Sequence, residues 1–251
     1  MALKINKRVL LLLPDLLHSK GIKTSPCACK NKPLNIKGKK VSSQQWILRQ
    51  INDPYVLKTK QENWRCRSAF KLIEIDDKYN ILKPGFVVID CGAAPGSWSQ
   101  VAVQRVNADK SDSEKPTGTV ISIDINPIMP IVGATIIPSC DFTAVETQKK
   151  ILEKLGQRKA DIVISDMAPS ASGTKHLDNE IIINLCISAL RFSTLVLHEG
   201  GNMLCKLWMG AEQDKLKRAM EIFFRTVKMV KPESSRSDSK EIFMLGRHFK
   251  N

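Results

Sequence analysis

Between residues 80 and 248, short apolar runs of strand length alternate with longer segments of helical spacing, and this alternation leaves the chain few architectures. Residues 86–90 (FVVID), 119–124 (TVISID), 134–138, 161–165 (DIVIS) and 201–207 read as buried strands, and 226–230 and 241–245 as two more. Between them, 98–105, 144–155, 180–197 and 213–224 repeat apolar residues with the spacing of a helix face. Strands apolar on both sides need helices on both faces of the sheet. The expected fold class is α/β, with a seven-stranded, mostly parallel sheet flanked by helices. Residues 107–118 (NADKSDSEKPTG) and 232–239 (PESSRSDS) are polar and read as surface loops. No internal repeat is visible.

Charge divides the chain differently. Residues 1–49 carry eleven Lys or Arg against the single acid Asp15, so this stretch holds +10 of the net +14. A basic arm that also has an apolar stripe at 9–17 reads as a mitochondrial import sequence, the rival being a tail that grips phosphates. The expected division is a basic extension over 1–45 and one catalytic domain over 46–251. No apolar run comes near the ~18 residues of a membrane span, so no span is expected. Seven cysteines at irregular spacing argue against a disulfide framework. Cys27 and Cys29 form only C-x-C and the four histidines are scattered, so no metal site is expected either.

The first strand runs into Asp90-Cys-Gly-Ala-Ala-Pro-Gly-Ser-Trp98, a turn that opens a helix. This is where doubly wound sheets bind nucleotide-like ligands. Gly92 and Gly96 permit a tight turn and close approach, Ala93 and Ala94 keep the floor small, and Pro95 removes an N–H that a diphosphate would use. The loop, continuing through Ser97 and Trp98, therefore suits a zwitterionic amino-acid tail better than a pyrophosphate. Asp124 ends the second strand, where an acid can accept ribose hydroxyls. Asp141 and Phe142 follow the third, offering a carboxylate and an aromatic wall to an adenine. Glycine turn and two strand-end acids together point to an S-adenosylmethionine pocket rather than a nicotinamide one.

At the other end of the site, the fourth strand runs into Ser165-Asp-Met-Ala-Pro, which sets Asp166 at the sheet edge. Lys206 stands inside the otherwise apolar fifth strand, where an unpaired lysine is costly. Lys71, in a probable helix ahead of the first strand, and Glu241, opening the last strand, can meet them. Lys58, Lys60, Arg65, Arg67 and Lys71 form a basic strip interrupted by one acid, Glu62, with Trp64 and Phe70 interleaved. Such a strip can neutralise RNA phosphates while an aromatic stacks on a base; a solvated helix face is the alternative.

Several of these motifs occur in a recognisable order. Asp-Pro-Tyr at 53–55, Arg67-Ser-Ala-Phe-Lys-Leu, Asp90-x-Gly-Ala-Ala-Pro-Gly-x-Trp, Ser165-Asp-Met-Ala-Pro, Ser172-Gly173, Lys206, and Lys231-Pro-x-x-Ser-Ser-Arg-x-x-Ser-x-Glu241 together resemble the FtsJ/RrmJ family of ribose 2'-O-methyltransferases. The resemblance covers about residues 52–248. It implies a class I methyltransferase sheet and a Lys-Asp-Lys-Glu tetrad at Lys71, Asp166, Lys206 and Glu241. It also implies cofactor contacts from 95–98, Asp124, Asp141 and Asp166. The implied substrate is a uridine ribose of mitochondrial large-subunit ribosomal RNA, in an assembling subunit in the matrix, met by a monomer. Ser97 and Cys140 replace residues that are often glycine in the family, and the 107–118 loop is longer than in compact bacterial members. Transfer RNA, an mRNA cap, or a binding role in ribosome assembly without catalysis are the competing readings.

Overall fold

The computed structural model describes residues 38, 40–169, 175–210 and 213–250. Residues 1–37 and 39 of the expected import sequence, and Ser172-Gly173, lie outside the described residues. Seven strands form one sheet in the order β3-β2-β1-β4-β5-β7-β6. They are β1 (Val87–Cys91), β2 (Thr119–Ile123), β3 (Ala134–Ile137), β4 (Ala160–Ser165), β5 (Leu197–Trp208), β6 (Phe224–Val230) and β7 (Glu241–Phe249). The first five run parallel, and β7 is antiparallel to both β5 and β6. The α/β expectation and all seven strands are borne out. The helices are α1 (Val41–Ile51), α2 (Pro54–Gln61), α3 (Ala69–Tyr79), α4 (Ser97–Val106), α5 (Val145–Leu155), α6 (Lys175–Val196) and α7 (Gln213–Phe223).

Side chains of successive strand residues point to opposite faces, and this alternation builds two cores. Ile89, Cys91, Ile121, Ile123 and Val163 face α5, α6 and α7, while Val88, Val120, Ile162, Ile164, Leu204 and Phe243 face α3 and α4. Full burial of each such aliphatic contributes about 2 kcal/mol. Because β1, β2, β4 and β5 are parallel, their carboxyl ends open on one edge. The order reverses beside β1, with β2 on one side and β4 on the other, which is the point where doubly wound sheets hold ligands.

Four details differ from the sequence expectation. β5 starts at Leu197 rather than 201. Leu197 pairs with Ala160, and the ladder shifts register before Ile162 meets Asn202; Gly200, at φ +88°, lets the polar 198–201 stretch bulge out. β3 is an edge strand and only partly buried. α1 runs across the expected boundary at 45/46. Finally, α6 contains a segment, Leu177–Val196, with mean hydropathy 1.3, long and apolar enough by length and composition to cross a membrane. Asn179, Glu180, Asn184 and Arg191 interrupt it, so it does not stand out as an uninterrupted apolar run. It packs on the sheet through Ile182, Ile183, Cys186, Ala189, Leu190 and Phe192.

Candidate active site

The turn after β1 is shaped by its neighbour after β4. Gly92 has φ +77°, and a Cβ there would lie 2.3 Å from Met167 Cγ and 3.0 Å from Met167 Cα, so only glycine fits. The Gly92 and Ala93 amides both donate to the Ile123 carbonyl, at 2.9 and 3.0 Å. The next amide, of Ala94, donates to Asp124 Oδ2 at 2.9 Å, and Asp124 Oδ1 accepts from the Asn126 amide at 2.7 Å. A cavity of about 620 Å³ results, bounded by Gly92, Ala94, Asp124, Asp141, Phe142 and Asp166. Met167, Ile181 and Leu185 add apolar wall. The volume lies within the ~300–1,000 Å³ of small-ligand sites. Asp141 Oδ1 is held by the Thr143 amide at 2.8 Å, and Phe142 is buried edge-on against Phe192. Two carboxylates, an aromatic wall and a glycine floor fit the ribose, adenine and amino-acid parts of S-adenosylmethionine.

Not every residue expected to touch the donor reaches this cavity. Trp98 is a core residue: its indole N–H donates to the Ser68 carbonyl at 2.8 Å and its ring lies 5.5 Å from that of Phe243. Ser97 is buried with its hydroxyl 3.0 Å from Cys66 Sγ. Ala93, Pro95 and Gly96 support the loop from behind, the Pro95 carbonyl accepting from Arg65 and Gly96 packing against the same guanidinium. A helix entering immediately at 97 turns these side chains into the α3–α4 core, which a motif written linearly does not reveal.

The four charged residues form two ion pairs. Lys206 Nζ lies 2.8 Å from Asp166 Oδ1 and donates to the Asp166 carbonyl at 2.5 Å; Lys71 Nζ lies 2.6 Å from Glu241 Oε1. All four side chains are at most 18% exposed. Phe243 joins the pairs: it sits opposite Lys206 in the β5–β7 ladder, and Lys71 Nζ stands 5.9 Å from its ring. Two further residues, given no role by the sequence, hold the acids. The Ser68 hydroxyl donates to Asp166 Oδ2 at 2.5 Å, and the Ser235 hydroxyl lies 3.1 Å from Glu241 Oε1. Ser68 lies in Arg67-Ser-Ala-Phe and Ser235 in Ser-Ser-Arg236, and these motifs are the signal the sequence carries for them.

Asp90 is a third residue without an assigned role. It is fully buried at the end of β1, accepts from the Ser99 hydroxyl at 2.6 Å through Oδ2, and has no hydrogen-bond partner at Oδ1 among the described residues. Burial pushes its carboxyl up to about 7, with the Ser99 bond opposing and Asp166 and Asp124 adding to the rise. An acid closing an apolar strand was visible in the sequence; the lack of a cation was not.

The basic strip is partly consumed by architecture. Arg65 donates to the carbonyls of Pro95, Met129 and Pro130, each at 2.8 Å, and so ties the donor loop to the β2–β3 connection. Arg67 pairs with Asp53 at 2.8 Å and also reaches the Ser234 carbonyl. Glu74 accepts from the Ser234 amide, and Arg236 joins Asp53, so the 231–241 segment is fastened to α2 and α3. Phe70 is buried, with Lys58 4.7 Å from its ring. Lys60 remains as an exposed cation. Among the described residues, no group of three or more His, Cys, Asp or Glu could hold a metal ion.

A doubly wound sheet with an adenosine-shaped cavity and two lysine–carboxylate pairs at one edge defines a group-transfer enzyme of the class I methyltransferase type. Residues 64–249 match the FtsJ-like methyltransferase family, and the chain belongs to it, with S-adenosylmethionine as methyl donor. The chain is 49% identical over 221 residues to the Drosophila melanogaster "rRNA methyltransferase 2, mitochondrial", covering 88% of each. It is 45% identical over 214 residues to the "Ribosomal RNA large subunit methyltransferase E" of Cereibacter sphaeroides, covering 85% of this chain and 87% of that one. A crystal structure from Plasmodium falciparum, described provisionally as a ribosomal RNA methyltransferase, aligns with a TM-score of 0.65. It is 29% identical and spans 74% of this chain and 98% of its own.

Proposed function

We propose that this chain methylates a ribose 2'-hydroxyl of ribosomal RNA, and that the target is a uridine of the mitochondrial large-subunit RNA, met during subunit assembly in the matrix. The observation that carries the reading is the Lys206–Asp166 pair at the wall of the donor cavity, with Lys71–Glu241 alongside. The relatives' names support ribosomal RNA, and the Drosophila relative's name supports the organelle.

A ribose hydroxyl ionises far above neutral pH, so it must be polarised or relieved of its proton as it attacks. The donor supplies an electrophilic methyl on a sulfonium; the oxygen–carbon bond forms as the carbon–sulfur bond breaks, and the hydroxyl proton is released. Lys206 already donates to the Asp166 carbonyl, and its ammonium lies 2.8 Å from Asp166 Oδ1. As an ammonium it aims its remaining N–H at the hydroxyl oxygen and stabilises the developing alkoxide. As a free amine the same nitrogen takes the proton. Asp166, clamped by Ser68, orients Lys206; Glu241 holds Lys71, whose charge faces the RNA backbone. Asp124, Asp141 and the 92–96 loop position the donor.

The test is product identity. Incubation with methyl-tritiated S-adenosylmethionine and unmodified large-subunit RNA, followed by digestion to nucleosides, is expected to yield 2'-O-methyluridine. Label on a base, or on another nucleoside, would overturn the assignment.

A further inference from the structure

A second cavity, of about 320 Å³, is lined by Asp178, Asn179, Trp208 and Lys240. None of the four borders the donor cavity or belongs to the tetrad. Trp208 is the last residue of β5, two beyond Lys206, and lies opposite Glu241 in the β5–β7 ladder. Opposed residues of an antiparallel pair have Cα atoms about 4.5–5.5 Å apart, and residues two apart on a strand are about 7 Å apart. Trp208 is therefore within one residue's reach of both lysine–carboxylate pairs. Helix α6 spans the two cavities: Ile181 and Leu185 face the donor side, and one turn earlier Asp178 and Asn179 face the second.

We propose that this second cavity receives an unpaired RNA nucleobase, stacked on Trp208, while the adjoining ribose lies at the tetrad. The inference rests on the ribose-methylation reading above. RNA is read chiefly where bases are unstacked, laid on aromatic side chains and hydrogen-bonded along their edges. The cavity offers each part. Trp208 is half-buried with ring surface left over, whereas Trp98 is enclosed in the core. The Asn179 amide presents a donor and an acceptor together. It lies beside the turn after β5, since a Cβ on Gly210 would meet Asn179 Nδ2 at 3.4 Å. Lys240 is exposed at the mouth, where a phosphate can sit. In the basic strip Phe70 is buried and its ring is not available for stacking.

The experiment follows indole fluorescence of the full chain as single-stranded oligouridylate is added, with anisotropy of labelled oligonucleotide reporting affinity. Stacking on Trp208 quenches the unmutated protein; Trp208→Phe abolishes that quench yet binds within about twofold, because the platform survives. Trp208→Ala weakens binding by about 5- to 150-fold, the loss expected for one stacked base, with S-adenosylmethionine affinity unchanged as the control for folding. Quenching that persists in Trp208→Phe, or undiminished binding by Trp208→Ala, overturns the proposal. Failure of the methylation reading is separate: it shows as absent 2'-O-methyl product from the unmutated enzyme, whatever the fluorescence does.

Discussion

The strip at 58–71 and the rim of β4 and β5 both set cations among oxygens, and they use the charge differently. In the strip, Arg65 and Arg67 are bound to carbonyls and a carboxylate of their own chain, and their task is to fasten segments together. At the rim, among the described residues, Lys206 Nζ is bound only to Asp166, which itself borders the donor cavity, so its charge stays beside that cavity. Lys71 belongs to both regions: it ends the strip and pairs with Glu241. Proximity of basic residues in sequence is thus a weak guide to function; what each cation is already bonded to decides the matter.

The contrast can be broken at the rim first, where the effect should be largest. Lys206→Ala is expected to lower methyl transfer by about 10²- to 10⁴-fold while S-adenosylmethionine binding, measured by calorimetry, stays within a few-fold. Retention of most turnover would put Lys206 on the same footing as the strip arginines. Asp90 sharpens the comparison as the strand-end acid without a cation. Its carboxyl is raised to about 7 in the fold from an ordinary 3.8. Its contribution to stability is therefore fully present below the ordinary value and lost as pH rises through about 7. Thermal unfolding from pH 4 to 8 should show that decline in the unmutated protein and a flatter profile in Asp90→Asn, the difference being on the order of a few kcal/mol.

In the strip the expectations are smaller and of another kind. Arg67→Ala leaves the Asp53 carboxylate with the Tyr55 amide and, as its cation, Arg236 at 3.3 Å, and should cost about 3 kcal/mol in denaturant unfolding; a loss of RNA affinity without a loss of stability would contradict the fastening role. Lys60→Ala should leave stability untouched and reduce the slope of log affinity against log salt by about one, the smallest effect of the series.

Much of this was legible in the sequence, and the reasons differ by feature. The strands were readable because each is a short apolar run that must be covered on both faces. Lys206 and Asp166 were readable because a lysine within an apolar strand and an aspartate at a strand end need partners; Lys71 and Glu241 stood out only through the order of motifs shared with the family. The helices α1 and α2 were not expected, since only Asp53 and Pro54, an N-cap with proline in the first turn, announce the second. Trp98 and Ser97 were assigned to the donor because the motif continues through them, although the entering helix rotates both into the core. Arg65 and Arg67 looked available because their partners, at 95, 129, 130, 53 and 234, are distant in sequence. The bulge at 198–201 hid the start of β5 for a similar reason: its polar residues do not pair.

A crystal structure of the protein with S-adenosylhomocysteine and an RNA fragment holding the target uridine would put the central claim to its most direct trial. The ribose 2'-oxygen is expected within about 2.6–3.2 Å of Lys206 Nζ, with Lys71 and Glu241 beside the same nucleotide. A ribose seated away from both lysine–carboxylate pairs, with the donor still in its cavity, would contradict it.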